Sequence, residues 1–386
     1  MKKLIIYGFI LSVFGFYLIG CGGSSAKDNK EIKGSQEPKI SKYIGEFKLD
    51  DNATGISDGY GAFGDFEVQR LDTYEVLSDT NVTIYKPNFS ITKPIATIFF
   101  ISGWGQPDTS YEKHLKFLAT QGYMVIDIYR DKLNYSNIEK SYADILFAIE
   151  KVVEDNPKLI DTKKIGLSGH SYGAGATVWL GYKLFVEKHW GEEGRFIVMN
   201  NPWYPFMVTK DNLKKYPSDT KLLVLFSDNE YDLKEPKSDI KFTTDPRAIR
   251  AVYKNISIGD DDKDFVLLKN SDNYSGIYKA NHVYVYTNDN YNLLDVLIPN
   301  RFTHAMASLV FESDNKAKEV VLGNGSKKQI TLSDGNTTLN DMILKVMDKV
   351  KFSSTKPSSI YRYPCPKISG EWSDIDEWKL FDECGE

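Results

Sequence analysis

The 386-residue chain has few of the residues that build metal-rich or disulfide-dense folds, with three cysteines and five histidines. That number is too small for a cysteine-rich metal scaffold, and neither a metal nor another cofactor is predicted. A basic excess is also missing, because 48 Lys and Arg residues face 53 Asp and Glu residues. A nucleic-acid binder would need a basic face, so no nucleic-acid partner is predicted. With 41% hydrophobic and 26% charged residues, the composition is that of a globular protein and excludes a fibrous, a mostly disordered or a polytopic membrane chain.

The N-terminus carries the pattern of an export signal. Lys2 and Lys3 precede an uncharged apolar stretch over residues 4–17, and Leu18-Ile19-Gly20-Cys21 follows. A short basic start, an apolar centre and small residues before a cleavage point are typical of such a signal. The Leu-x-Gly-Cys ending resembles the lipobox of bacterial lipoproteins. An uncleaved transmembrane anchor is the alternative, because the apolar run approaches spanning length.

The lipobox resemblance implies a signal peptide over residues 1–20 and acyl chains, such as palmitate, on Cys21. Two acyl chains on one residue give stable attachment to a membrane. No Asp follows Cys21, which by analogy with that family favours an exported protein anchored in the outer membrane. Residues 21–41 are rich in Gly, Ser, Lys, Asp and Glu and predict a flexible tether.

Alternating strand and helix patterns run from about Phe66 to Glu312. Continuous apolar runs of the buried-strand type recur, with amphipathic helical stripes between them. The first helix is expected to start at a capping-box pattern, Thr109 to Glu112, and to stop at Gly122. The predicted strands cover residues 66–77, 81–85, 96–101, 124–128, 164–167, 196–199, 222–226 and 265–268.

Repeated strand–helix units of this length predict an α/β fold with a mostly parallel central sheet and helices on both faces. The β-rich start predicts antiparallel strands at one edge of that sheet. The predicted domain spans residues 42–312. Beyond it the pattern becomes polar and irregular, so residues 313–386 are interpreted as a C-terminal extension.

One motif between a predicted strand and a predicted helix carries chemistry. Gly169-His170-Ser171-Tyr172-Gly173 has the small residues that a sharp strand-to-helix turn needs, and such a turn presents a serine hydroxyl at the edge of the sheet. The helix that starts there directs amide groups and a partial positive charge at the same place, which favours a developing oxyanion.

Residues 165–176 resemble the nucleophile elbow of the α/β-hydrolase superfamily, closest to its dienelactone-hydrolase, cutinase and acetylhydrolase-like branch. The resemblance implies an α/β-hydrolase fold and a triad in the chain order Ser, acid, His. Ser171 is then the nucleophile. Asp232, four residues before Pro236, is preferred as the acid over Asp228. His282, in a small-Asn-His pattern, is preferred as the base.

Other residues receive roles from the same resemblance. The amides of Trp104, in Ser102-Gly103-Trp104-Gly105, and of Tyr172 would form the oxyanion hole, and Trp203 would line the substrate pocket. His304 is the alternative base, with a partly buried structural histidine as its other interpretation. His170 stands at the variable position of the elbow and is not assigned a role.

The resemblance implies a lipid-anchored serine esterase that acts on a small or extended ester without a metal. Polyester or lipid-ester hydrolysis is an alternative within the same chemistry. A non-catalytic, surface-tethered binding lipoprotein on a hydrolase scaffold is the alternative from another class, because fold alone does not decide function.

If Cys21 carries lipid, Cys365 and Cys384 remain as a pair, and an exported chain can keep a disulfide between them. Two free thiols are the alternative. We expect alkylation to modify Cys365 and Cys384 only after reduction, as measured by intact mass. Alkylation of both without a reductant would contradict the disulfide.

Overall fold

The computed structural model describes the residues in the following ranges: 40–41, 59–131, 137–227, 246–271, 273, 278–287, 291–333 and 338–346. All of them fall within one compact unit. Three residues with predicted roles at the ends of the chain, Cys21, Cys365 and Cys384, lie outside the described residues.

Eleven strands of the described chain join in one sheet. Their bounds are β1 Ile40–Ser41, β2 Val68–Leu71, β3 Tyr74–Leu77, β4 Thr80–Pro87, β5 Ile95–Ile101, β6 Met124–Arg130, β7 Ile160–His170, β8 Gly194–Asn200, β9 Lys221–Ser227, β10 Lys263–Leu268 and β11 Ile343–Val346. Across the sheet the order is β1-β2-β4-β6-β5-β7-β8-β9-β10-β11, and β3 pairs with β4.

The centre of the sheet is parallel and its edges are antiparallel. Strands β6, β5, β7, β8, β9 and β10 are parallel to their neighbours in this order. At one edge β4 runs antiparallel to β6, and at the other β11 runs antiparallel to β10. The predictions of a mostly parallel central sheet in an α/β chain, and of antiparallel strands at the β-rich start, are confirmed.

The helices lie between the strands along the chain. Their bounds are α1 Glu112–Thr120, α2 Ile138–Asp155, α3 Tyr172–Gly181, α4 Lys210–Leu213, α5 Pro246–Asn255, α6 Leu293–Asp295, α7 Arg301–Phe311, α8 Asn315–Val321 and α9 Lys327–Ile330. The chain continues from α3 and from α6 through π-helical turns, at Tyr182–Glu187 and Val296–Asn300. None of the described helices is both long and apolar enough to cross a membrane.

The sheet is packed on both faces because successive side chains of a strand point to opposite sides. In β5, Phe99 and Ile101 pack in one core with residues of α2, α3 and α5. Ile98 and Phe100 pack in a second core with residues of α1 and α7. All four side chains are at most 1% exposed, so β5 lies at the centre of the molecule.

The carboxyl ends of β5 and β7 form a switch point in the topology of the sheet. The two strands are parallel neighbours, yet α1, which follows β5, and α3, which follows β7, pack in opposite layers. In open α/β sheets such a switch point is where ligands bind.

Part of the predicted C-terminal extension belongs to the main fold. Ala317, Val320 and Val321 of α8 are buried in the same core as α7, and β11 pairs with β10. The described residues 313–333 and 338–346 therefore add to the sheet and the core, and the domain boundary at residue 312 stays a prediction.

The capping box predicted for α1 is wrong, although the helix ends at Thr120, shortly before Gly122, as expected. Thr109 lies in a short 3-10 turn, Asp108–Ser110, and the helix begins after Tyr111, whose side chain caps nothing. The Tyr111 ring is instead fully buried below the carboxyl end of β5, where its hydroxyl accepts a hydrogen bond from the Gly103 amide at 3.0 Å.

A buried histidine of α1 predicts acid sensitivity of the fold. His114 donates from Nδ1 to Asn300 Oδ1 at 2.6 Å, and burial lowers its pKa from 6.5 to about 4. Between these two values the unfolded chain binds a proton that the folded chain does not, so stability falls as the pH drops through that window. We expect the free energy of unfolding to fall between pH 8 and pH 5 by about 2 kcal/mol more in the wild type than in His114→Gln. Denaturant titrations at both pH values measure this, and equal losses in the two proteins would contradict it.

Candidate active site

Ser171 occupies a sharp turn between β7 and α3. Its backbone has φ 53° and ψ −121°, in the left-handed half of the map that residues other than glycine rarely adopt. Three backbone hydrogen bonds hold the turn. The Ser171 amide donates to the Asn200 carbonyl at 3.0 Å, and the Ser171 carbonyl accepts from the amides of Gly175 at 3.0 Å and Trp203 at 2.8 Å.

The glycines on either side of Ser171 are required by close packing. A Cβ on Gly173 would lie 2.0 Å from the carbonyl oxygen of Ile101, and one on Gly169 would lie 2.8 Å from that same oxygen. The first turn of α3 therefore rests directly on the end of β5. This contact also brings the loop after β5 beside Ser171, because the carbonyl oxygen of Ser102 would lie 2.6 Å from a Cβ on Gly173.

The hydroxyl of Ser171 is hydrogen-bonded to an imidazole that is 111 residues away along the chain. Ser171 Oγ lies 2.8 Å from His282 Nε2. The Ser171 residue is 8% exposed, and burial lowers the pKa of the His282 imidazole to about 4. The ring is therefore neutral at neutral pH, so that Nε2 accepts the hydroxyl proton and Nδ1 carries the ring proton.

Two buried side chains hold the loop of His282 by its backbone. The His282 carbonyl accepts from His170 Nε2 at 2.7 Å and from Asn201 Nδ2 at 3.2 Å. Asn201 Nδ2 also reaches the carbonyl of Asn281 at 2.8 Å, and its Oδ1 accepts from the amide of Ser227 at 2.7 Å. The ends of β7, β8 and β9 are thereby tied to the loop that carries the imidazole.

Asp232 and Asp228 lie outside the described residues. The described chain reaches Ser227, the last residue of β9, whose Oγ donates to the carbonyl of Asn281 at 3.1 Å. Ser227, the last described residue before both aspartates in the chain, thus contacts the loop of His282.

The two amides predicted to bind an oxyanion belong to elements that meet at Ser171. Tyr172 is the first residue of α3, so its amide has no acceptor within the helix. Trp104 follows Gly103, and a Cβ on Gly103 would lie 2.9 Å from His170 Nδ1 in the elbow. The structure thus brings the loop of Trp104 beside the start of α3.

Trp104, Tyr172 and Trp203 form an aromatic cluster beside Ser171. Their ring centroids are 5.2 Å apart for Trp104 and Trp203, and 5.9 Å apart for each of these rings and Tyr172. All three pairs are edge-to-face, a favourable arrangement for aromatic rings. The cluster gives this end of the sheet an apolar wall.

The other predicted base, His304, lies elsewhere. It is part of α7 in the layer opposite α3, with its ring against Tyr60 and Phe117 at 5.6 and 5.9 Å. Burial lowers its pKa to about 4. The hydrogen bond to Ser171 is made by His282, and His304 packs as a structural histidine.

Three residues that surround the Ser171–His282 pair were not predicted, namely His170, Tyr111 and Asn201. The position of Asn201 offered a signal, because Asn200 and Asn201 are polar residues that directly follow a buried strand, at the edge where sites form. For His170 and Tyr111 no local pattern signals the contact, which joins positions 59 residues apart.

Within the described ranges, no group of three or more His, Cys, Asp and Glu side chains is placed to hold a metal ion. The chain matches no protein-family model and no curated protein.

The packing of the elbow predicts a specific glycine requirement. In Gly173→Ala the new methyl group collides with the Ile101 carbonyl, a backbone atom that cannot rotate away. We expect the free energy of unfolding to fall by about 3 kcal/mol or more. Gly259→Ala is the matched control, because no other atom lies within 4 Å of the position that its Cβ would take and its φ is −61°. We expect that control to change stability by less than about 0.5 kcal/mol, and equal losses in the two variants would contradict the packing argument.

Proposed function

We propose that the chain is a serine hydrolase of the α/β-hydrolase type that cleaves carboxylic esters through an acyl-enzyme. The observation that carries this proposal is the 2.8 Å hydrogen bond between Ser171 Oγ and a buried, neutral His282. A serine hydroxyl is a weak nucleophile until a base accepts its proton, and this contact supplies the base.

In the proposed reaction the Ser171 oxygen attacks the ester carbonyl while its proton moves to His282 Nε2. The resulting imidazolium then protonates the leaving alcohol, which departs and leaves an acyl group on Ser171. Water, deprotonated by the same imidazole, releases the acid and restores the hydroxyl. An aspartate bonded to Nδ1 would stabilise the imidazolium, and Asp232 remains our first candidate over Asp228.

The tetrahedral intermediate carries a negative oxygen, which needs two donors. We assign the amide of Tyr172, at the positive end of α3, and the amide of Trp104. The support is that Gly173 and Gly103 bring both elements against the elbow. Loss of one such donor costs about 2.7–4 kcal/mol of transition-state stabilisation.

The aromatic cluster of Trp104, Tyr172 and Trp203 supports an ester with an apolar acyl or alcohol group. Polyester and lipid-ester substrates remain alternatives within the same chemistry. We further propose that the enzyme is exported and held in the cell envelope, in the outer membrane, by lipid on Cys21. This part of the proposal rests on the sequence pattern of residues 1–21 alone.

The test is hydrolysis of p-nitrophenyl esters of increasing acyl length by a form that lacks residues 1–21. We expect His282→Ala to reduce kcat/KM by about 10⁴-fold or more, because the hydroxyl then has no proton acceptor. His304→Ala, the matched control, should keep kcat/KM within about threefold, because His304 does not contact Ser171. Equal activity of wild type and His282→Ala would contradict the proposal, and the absence of hydrolysis in both would favour a binding lipoprotein.

A second comparison decides between the acids. We expect Asp232→Asn to reduce kcat by about 10⁴-fold and Asp228→Asn to have a small effect, because only the true partner sets the tautomer of His282. Steady-state kinetics measure both, and the reverse order would assign the role to Asp228.

A further inference from the structure

The elbow histidine, His170, is a buried titratable residue that the proposed mechanism does not use. It is 0% exposed and is the last parallel-paired residue of β7, opposite Asn200 and directly before Ser171. Its ring makes two hydrogen bonds. Nε2 lies 2.7 Å from the His282 carbonyl, and Nδ1 lies 2.9 Å from the Tyr111 hydroxyl.

The partners of His170 define the direction of each bond. A carbonyl oxygen only accepts, so Nε2 carries the proton and donates to His282. Burial and the nearby His282 ring lower the pKa of His170 well below its usual value, and the neutral ring therefore leaves Nδ1 as an acceptor. Tyr111 then donates its hydroxyl proton to Nδ1, while its oxygen accepts from the amide of Gly103 at 3.0 Å.

These hydrogen bonds form one continuous series, from the Gly103 amide through Tyr111 and His170 to the carbonyl of His282. The first end is the loop that presents the Trp104 amide, and the other end is the residue that bears the base. Tyr111 and His170, the two middle residues of this series, are fully buried. The loops at its two ends must each be placed to within a fraction of an ångström for catalysis.

We propose that Tyr111 and His170 are positioning residues that link the oxyanion loop to the loop of the catalytic base. They do not touch the reacting atoms. They place the Trp104 amide and the His282 imidazole in one geometry with respect to Ser171, so that the base and the oxyanion donors are aligned together. This inference rests on the proposed function and deepens it.

The experiment measures kcat, KM and thermal unfolding for variants that break this series at different hydrogen bonds. Tyr111→Phe removes the hydroxyl alone, and His170→Leu removes both ring nitrogens. We expect each variant to lower kcat about 10- to 100-fold with KM changed by less than about threefold, because alignment matters in the transition state. The double variant should lose no more than about threefold beyond the worse single variant, because either change already separates the two loops.

His170→Gln tests the chemistry of the link, because an amide side chain also offers one donor and one acceptor. We expect it to recover at least about tenfold of the kcat lost in His170→Leu. Two control variants lose comparable buried hydrogen bonds that do not belong to this series. Tyr216→Phe removes a hydroxyl that donates to the Val178 carbonyl, and His114→Leu removes a buried imidazole bonded to Asn300. Both controls should destabilise the fold yet keep kcat within about threefold.

The outcomes separate this inference from the function on which it rests. If the wild type hydrolyses esters, Ser171→Ala does not, and Tyr111→Phe and His170→Leu keep the wild-type kcat, then the positioning role is overturned alone. The positioning role is also overturned if His170→Gln is as slow as His170→Leu, or if the two controls lose as much kcat as Tyr111→Phe and His170→Leu. If the wild type and Ser171→Ala do not differ, the proposed function and this inference both fail.

Discussion

The close contact between the first turn of α3 and the end of β5 determines the geometry at this end of the sheet. Only glycine fits at position 173, because a side chain there would overlap the carbonyl of Ile101. Ser171 in this turn has a positive φ, and its hydroxyl is hydrogen-bonded to His282. Strain of this kind persists only where surrounding structure enforces it, and three backbone hydrogen bonds of Ser171 do so here.

His282, the proposed base, is positioned mainly through its backbone. The His282 carbonyl accepts hydrogen bonds from His170 and Asn201. Both donors are buried, and a buried donor without a hydrogen-bond partner would lower the stability of the fold. These bonds hold a loop of irregular structure against the ends of three strands, so that a residue outside the sheet meets Ser171 at hydrogen-bonding distance. The same burial keeps the imidazole uncharged and ready to accept a proton.

The sequence predicted those parts of the molecule that have a local pattern. Continuous apolar runs identified the parallel strands, and the spacing of Gly169, Ser171 and Gly173 identified the turn. Strand β11, four residues that pair with β10, was not predicted because the chain beyond residue 312 was interpreted as irregular. The contact of Tyr111 with His170 was also beyond prediction. An amphipathic stripe marks Tyr111 as buried, but its partner depends on the packing of two distant elements.

The account depends on one property, a Ser171 hydroxyl that His282 activates for attack. The most direct measurement is the reaction of the folded protein with a fluorophosphonate, with the modified peptide located by mass spectrometry. The account predicts one phosphonyl group per chain, on Ser171, and a reaction slower by orders of magnitude in His282→Ala. A folded wild type that remains unmodified, or one modified at the same rate without the imidazole, would contradict it.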